Sequence, residues 1–167
     1  MTKSDPIRPA DADARALARV LLSSATYAAL AVTDPDTGTP SVTRVALATA
    51  PDGTPLTLIS DLSSHTGALR ANANCALLVG EPGNKGDPLT HPRMTLHAKA
   101  SFHERGSDEH AQTRAHYLSL RPKAKLYVDF PDFSFVRFDV TGGLLNGGFG
   151  KAFHLTPDDL LAPTSFT

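Results

Sequence analysis

The spacing of apolar positions changes several times along the chain, and each change marks an element. Ala14, Leu17, Val20 and Leu21 recur at helical spacing. They predict a helix that Asp11 or Asp13 caps and that runs to about Ser24. From Tyr27 to Thr33 the residues are small or branched and read as a strand. Asp34-Pro35-Asp36-Thr37-Gly38 is turn chemistry, Pro40 to Ala50 a second strand, Pro51-Asp52-Gly53 a second turn, and Pro55 to Ser60 a third strand. Ser63 or Ser64 then opens a short helix ending near Asn72 or Asn74, and Cys75 to Gly80 is a compact strand. Residues 81–91 hold Pro82, Gly83, Gly86 and Pro88 and form a loop. Arg93 to Glu104 alternates as a long strand, Ser107-Asp108-Glu109 starts a helix to about Leu120, and Arg121-Pro122 breaks it. Phe133 to Val140 is a strand of imperfect alternation. Gly142-Gly143 and Asn146-Gly147-Gly148 punctuate the chain before a strand at Ala152 to Leu155, and Thr156-Pro157 begins a last helix.

Strands joined by short turns are the majority. The pattern predicts a mainly β, α+β chain: an antiparallel barrel with peripheral helices rather than a doubly wound parallel sheet. Residues 1–9 read as a flexible N-terminus, 10–160 as the barrel domain and 161–167 as a C-terminal tail. The 167 residues suit one domain. Hydrophobic residues make up 41%, but 23 of them are alanine and none is tryptophan, so large core side chains are scarce. A second subunit covering one face would help, which makes a homo-oligomer the expectation.

Charge narrows the function classes. Sixteen basic against seventeen acidic residues leave a net charge of -1, which argues against nucleic acid or an anionic membrane as partner. The single Cys75 permits neither an internal disulfide nor a cysteine zinc cluster. No apolar run reaches the ~18 residues of a membrane helix, and the first nine residues lack a signal peptide's apolar stretch. A cytoplasmic location is expected.

Arg44 carries the most chemistry. It sits mid-strand, sharing its face with the small apolar Val42, Ala46 and Ala48. A guanidinium cannot shed its charge there and needs an anion, either a carboxylate of the chain or a ligand. Ser63-Ser64-His65-Thr66 supplies hydroxyls and free backbone N–H groups at a helix start, a ready anion site if it converges with Arg44 and a plain helix cap if it does not.

Thr43-Arg44-Val45-Ala46-Leu47, then Leu58-Ile59-Ser60-Asp61-Leu62-Ser63-Ser64-His65-Thr66, Ala76-Leu77-Leu78-Val79 and Arg93 to Ala100 resemble the flavin-binding split barrel of the pyridoxamine 5′-phosphate oxidase superfamily. Phe135-Val136-Arg137-Phe138 and Gly147-Gly148-Phe149-Gly150-Lys151-Ala152-Phe153-His154 resemble its haem-utilisation branch. The resemblance implies a homodimer with FMN between the subunits and an oxidoreductase of unknown substrate. It places Arg44, Ser64, His65 and Thr66 at the FMN phosphate, Val45, Ala46 and Leu47 along the ring, Ile59 and Ser60 at the flavin, and Met94 at the position of a ring-contacting glutamine. The oxidases carry Arg-Lys where this chain has His65-Thr66, and a substrate lysine where it has Thr49. Two alternatives stand beside the flavin: haem, with His154 as the iron ligand, and a cofactor-free binding barrel.

Other motifs resolve to bland readings. His91, His97 and His103 are spaced by six along one strand, roughly 20 Å apart in steps, so they cannot share one ion. His110 and His116 lie about 240° apart around their helix. His103-Glu104 lacks the second histidine of a zinc-protease motif. Gly147-Gly148-Phe149-Gly150-Lys151 lacks the spacing of a nucleotide loop, and Asp129 and Asp132 read as a solvated turn, with a face on a ligand pocket as the alternative.

Overall fold

The computed structural model describes residues 5–161; residues 1–4 and 162–167, which include most of the expected C-terminal tail, lie outside the described residues. The strands are β1 (Arg8–Pro9), β2 (Tyr27–Thr33), β3 (Pro40–Ala46), β4 (Ala48–Thr49), β5 (Pro55–Ser60), β6 (Asn74–Val79), β7 (Arg93–Phe102), β8 (Phe133–Asn146) and β9 (Ala152–Leu155). The helices are α1 (Ala12–Ser24), α2 (Ser64–Ala71), α3 (Asp108–Leu120) and α4 (Pro157–Leu160). All the strands belong to one sheet of order β1-β9-β8-β7-β6-β2-β3, with β5 also on β8 and β4 on β5. Every pairing is antiparallel except β1 with β9.

That connectivity makes a ring with one seam. The hydrogen-bonded path runs β3-β2-β6-β7-β8-β5-β4, and the chain itself closes it where β3 passes into β4. The expected single strand from Pro40 to Ala50 is therefore broken at Leu47, whose N–H donates to the Thr26 carbonyl at 2.9 Å. The Arg121 guanidinium fixes the break by donating to the Leu47 carbonyl at 2.7 Å and the Ala25 carbonyl at 3.1 Å. The break also changes which way side chains point. Ala48 does not share Arg44's face, as simple alternation implies, but is buried beside Leu58 and Phe135.

The ring's interior holds Leu30, Val45, Leu47, Ile59, Leu77, Met94, Leu96, Val136 and Phe138, and α1 closes it with Ala14, Ala18 and Leu22. Asp11 caps α1, its carboxylate accepting the Ala14 N–H at 2.8 Å. Val20, expected on the buried face, is 60% exposed. Alanines take its place because the helix lies close against the strands, and a small side chain permits that approach. A second, smaller cluster joins Leu58 and Phe135 to Tyr117 of α3 and to Ala124 and Val128 beyond it. β5 and β8 are thus covered on both faces, which is why Phe135 and Val136 are both fully buried and the alternation there reads imperfectly.

β8 runs on through Gly142-Gly143, where the sequence suggested a stop. A Cβ at Gly143 would lie 2.6 Å from the Thr95 carbonyl oxygen of β7, so glycine here permits close strand approach rather than a turn. A bulge between His97 and Ala98 adjusts the register beside it. At the other edge, Arg8 and Pro9 pair with Phe153 and His154, so the last residues of the segment expected to be flexible join the sheet.

Candidate functional site

Strand register places one row of side chains across the outward face of the sheet. Arg44 pairs with Ala29, Ala29 with Leu78, Leu78 with Thr95, Thr95 with Leu144, Leu144 with His154 and His154 with Pro9. This face carries exposed apolar side chains: Val42 at 67%, Leu78 at 46%, Leu144 at 39% and Tyr27 at 37%. Alternation of β2 puts Tyr27, Ala29 and Ala31 outward while Ala28, Leu30 and Val32 are buried.

A cavity of about 570 Å³ opens on that face, lined among others by Tyr27, Ala29, Val42, Arg44, Leu78 and Glu81. The Arg44 guanidinium carbon lies 5.0 Å from the centre of the Tyr27 ring. No described carboxylate stands within ion-pair distance of it. Glu81 lines the same cavity, and its carboxylate is the main influence holding the Tyr27 phenol above its ordinary pKa. One free cation over an aromatic ring, set in an apolar floor, suits a flat molecule that carries an acidic group.

The start of α2 stands elsewhere. Thr43, one residue from Arg44 and therefore on the opposite face of β3, meets His65: its Oγ1 is 3.0 Å from Nδ1. The His65 Nε2 is buried with no partner, and burial lowers its pKa. Thr66 is 1% exposed and donates to the Ser60 carbonyl at 2.6 Å. Ser60 in turn donates to Asp132, and Ser63, the cap residue, makes no side-chain capping bond. Within one chain the structure therefore brings Thr43, Ser60, His65 and Thr66 together and leaves Arg44 outside that group. Ser64 is exposed and Ala46 lies on the outward face, while Val45, Leu47, Ile59 and Met94 point their side chains into the core.

These positions can be set against the two cofactors. An FMN phosphate is a dianion and needs donors and cations converging on it. Here the helix start presents a buried imidazole whose charged form burial disfavours and a threonine hydroxyl already spent on a carbonyl, and Arg44 is across the strand. Within one chain Arg44 and the side chains of His65 and Thr66 are thus turned to opposite sides of β3. A carboxylate at the edge of a flat apolar ring needs less, and Arg44 over the cavity meets it. His154 is on the outward face but five strand spacings from Arg44, roughly 24 Å along the sheet. Its Nε2 is 3.3 Å from an Asp5 carboxylate oxygen.

A second cavity, of about 290 Å³, is lined by His103, Glu109, His116, Asp52 and Arg137 among others. The His103 side chain is 4% exposed, neither ring nitrogen has a hydrogen-bond partner, and Glu109 Oε1 is 3.6 Å from Nδ1. His116 Nε2 lies 2.7 Å from the Thr49 carbonyl, and Arg137 is paired with Asp52 and Asp139. His91 holds the loop before β7 together, accepting from Gly83 N–H at Nδ1 and lying 2.7 Å from the Lys85 carbonyl at Nε2. Asp129 forms a two-bond pair with Arg114. Among the described residues no three His, Cys, Asp or Glu side chains are grouped to hold a metal ion, and no helix is long and apolar enough to cross a membrane.

Sequence reasoning singled out Arg44 but missed Tyr27, Leu78 and Glu81. The outward phase of Tyr27, Ala29 and Ala31 was visible as alternation. That β6 lies beside β2, bringing Leu78 and Glu81 to the same cavity, was not, because more than fifty residues separate them from Tyr27.

Comparison with known proteins is consistent with this architecture. The pyridoxamine 5′-phosphate oxidase family profile matches residues 15–146. A chloroplastic heme oxygenase of Arabidopsis thaliana is 39% identical over 103 residues, which cover 61% of this chain and 30% of that protein, so the chain spans under a third of this curated relative. The crystal structure of a protein of unknown function from Agrobacterium tumefaciens is 34% identical with a TM-score of 0.80, covering 95% of this chain and 66% of that one. A heme-binding protein from Mycobacterium smegmatis is 28% identical with a TM-score of 0.79, covering 92% of this chain and 61% of the other. The expected likeness to the haem-utilisation branch is borne out by these relatives.

Proposed function

The chain belongs to the pyridoxamine 5′-phosphate oxidase family, and from that premise we propose that it binds haem against the outward face of its sheet, under cover of a second copy of itself. The observation that carries this reading is the unpaired Arg44 over an apolar cavity of about 570 Å³. Two similar proteins whose names record haem, one acting on it and one binding it, support the choice.

Arg44 would hold a propionate through charge-assisted hydrogen bonds, with Tyr27 fixing the guanidinium from below. Val42, Ala29 and Leu78 would lie against the ring and keep water from it. Haem, when bound, supplies the redox chemistry of its iron. The outward face is apolar over several strands, and a partner subunit on it would bury Val42, Leu78 and Leu144 and complete the walls.

The test is a titration of the purified protein with ferric haem, followed by absorption. Saturable binding is expected, and Arg44→Ala should weaken it about ten- to a hundredfold, the loss of one charge-assisted contact of about 1.5–3 kcal/mol. Indifference of binding to Arg44→Ala, or no saturation at all, refutes the assignment. Family membership supports FMN as a second reading; saturable FMN binding in the same titration, with none by haem, would put it first.

A further inference from the structure

We propose that Tyr27, rather than a histidine, is the residue of this chain that ligates the haem iron, an inference that rests on the haem reading of the cavity. Among its lining residues no histidine, cysteine or methionine occurs. The side chains there able to bind ferric iron are the Tyr27 phenol and the Glu81 carboxylate. His154 is at the far edge of the sheet, roughly five strand spacings of about 4.8 Å away, and is engaged by Asp5. His97 faces outward from β7, in the row that runs from Val42 through Ala31 and Ala76 and reaches it only after three strand spacings. His154 lies too far to reach a ring held at Arg44 of the same chain, and His97 is not among the residues that line the cavity.

Tyr27 is prepared for the role by its two neighbours. Arg44 lies over its ring, where a guanidinium stabilises a phenolate. Glu81 lines the same cavity, a second oxygen donor beside the phenol. Ligation would break the phenolic O–H bond and form an O–Fe(III) bond, the proton leaving to solvent, and no electron would move.

The experiment loads the wild-type protein, Tyr27→Phe and His154→Ala with ferric haem and records absorption and resonance Raman spectra, with metal-free protoporphyrin IX as a second probe. The wild type should show the phenolate–iron charge-transfer band and phenolate ring modes. Tyr27→Phe should lose both, and His154→Ala should keep both. Protoporphyrin IX should bind wild type and Tyr27→Phe alike, showing that the cavity survives the substitution. A Tyr27→Phe spectrum identical to wild type overturns the ligand assignment while leaving haem binding intact. Loss of the signal in His154→Ala moves the ligand to that residue and also overturns it. A wild type that takes up neither haem nor protoporphyrin IX removes the haem reading itself.

Discussion

Replacing Thr66 with valine separates a structural hydroxyl from a ligand-binding one. The side chain is 1% exposed and its Oγ1 donates to the Ser60 carbonyl at 2.6 Å. Valine matches threonine in shape, so no cavity opens, and the loss reduces to one hydrogen bond. A carbonyl left without any partner in a buried site costs about 1–3 kcal/mol. Here the Ser60 oxygen retains the Ser63 N–H at 3.1 Å, which places the cost at the lower end, about 1 kcal/mol. With a urea m-value of about 2 kcal/mol/M for a chain of this size, the midpoint should fall by about 0.5 M. The thermal midpoint should fall by about 2–4 °C. The assay is equilibrium urea unfolding at one fixed protein concentration, paired with the haem titration. Thr66→Val should lower stability and leave haem affinity unchanged. Unaltered stability with weakened haem or FMN binding would show that the hydroxyl faces a ligand, and the inward assignment would be wrong.

Four further outcomes follow from particular contacts. Burial holds the His65 imidazole below its ordinary pKa, so the unfolded chain binds the extra proton first. The stability it contributes is fully present above about pH 6.5 and is lost as pH falls below that value. The urea midpoint of wild type should therefore drop more between pH 7.5 and 5.5 than that of His65→Gln, and equal drops would refute the assignment. Gly143→Ala drives a methyl into the Thr95 carbonyl and should destabilise by about 1–3 kcal/mol in the same assay; an unchanged midpoint would mean the strands are not in this register. His103 is buried with both nitrogens unpartnered, so His103→Phe should leave stability unchanged or raise it by about 1 kcal/mol, whereas a marked loss would reveal a partner for the imidazole. Sedimentation should find wild type as a dimer and Val42→Asp as a folded monomer, because the charge lands on the exposed apolar face; a monomeric wild type would remove the second copy from the site.

What was legible in the chain was local. Asp11 and Ser107 announced α1 and α3 because a cap is made by a side chain and backbone groups three residues away. The turns at Asp34–Gly38 and Pro51–Gly53 ended strands because proline and glycine restrict or free the backbone where they stand. The motif around Arg44 indicated the family for the same reason: its residues are contiguous.

What the tertiary structure decided was every relation between distant segments. Arg44 and the α2 start fall on opposite faces because β3 alternates at Thr43, which meets His65 from the other side. Leu47 ends β3 because Arg121, seventy-four residues later, holds its carbonyl. Gly142-Gly143 continues a strand because β7 passes too close for a side chain. Tyr27, Leu78 and Glu81 share a cavity because β6 chose β2 as its neighbour. Residue identity sets which backbone angles and hydrogen bonds are permitted nearby; which strands meet depends on the packing of the whole core, and the functional surface is made where they meet.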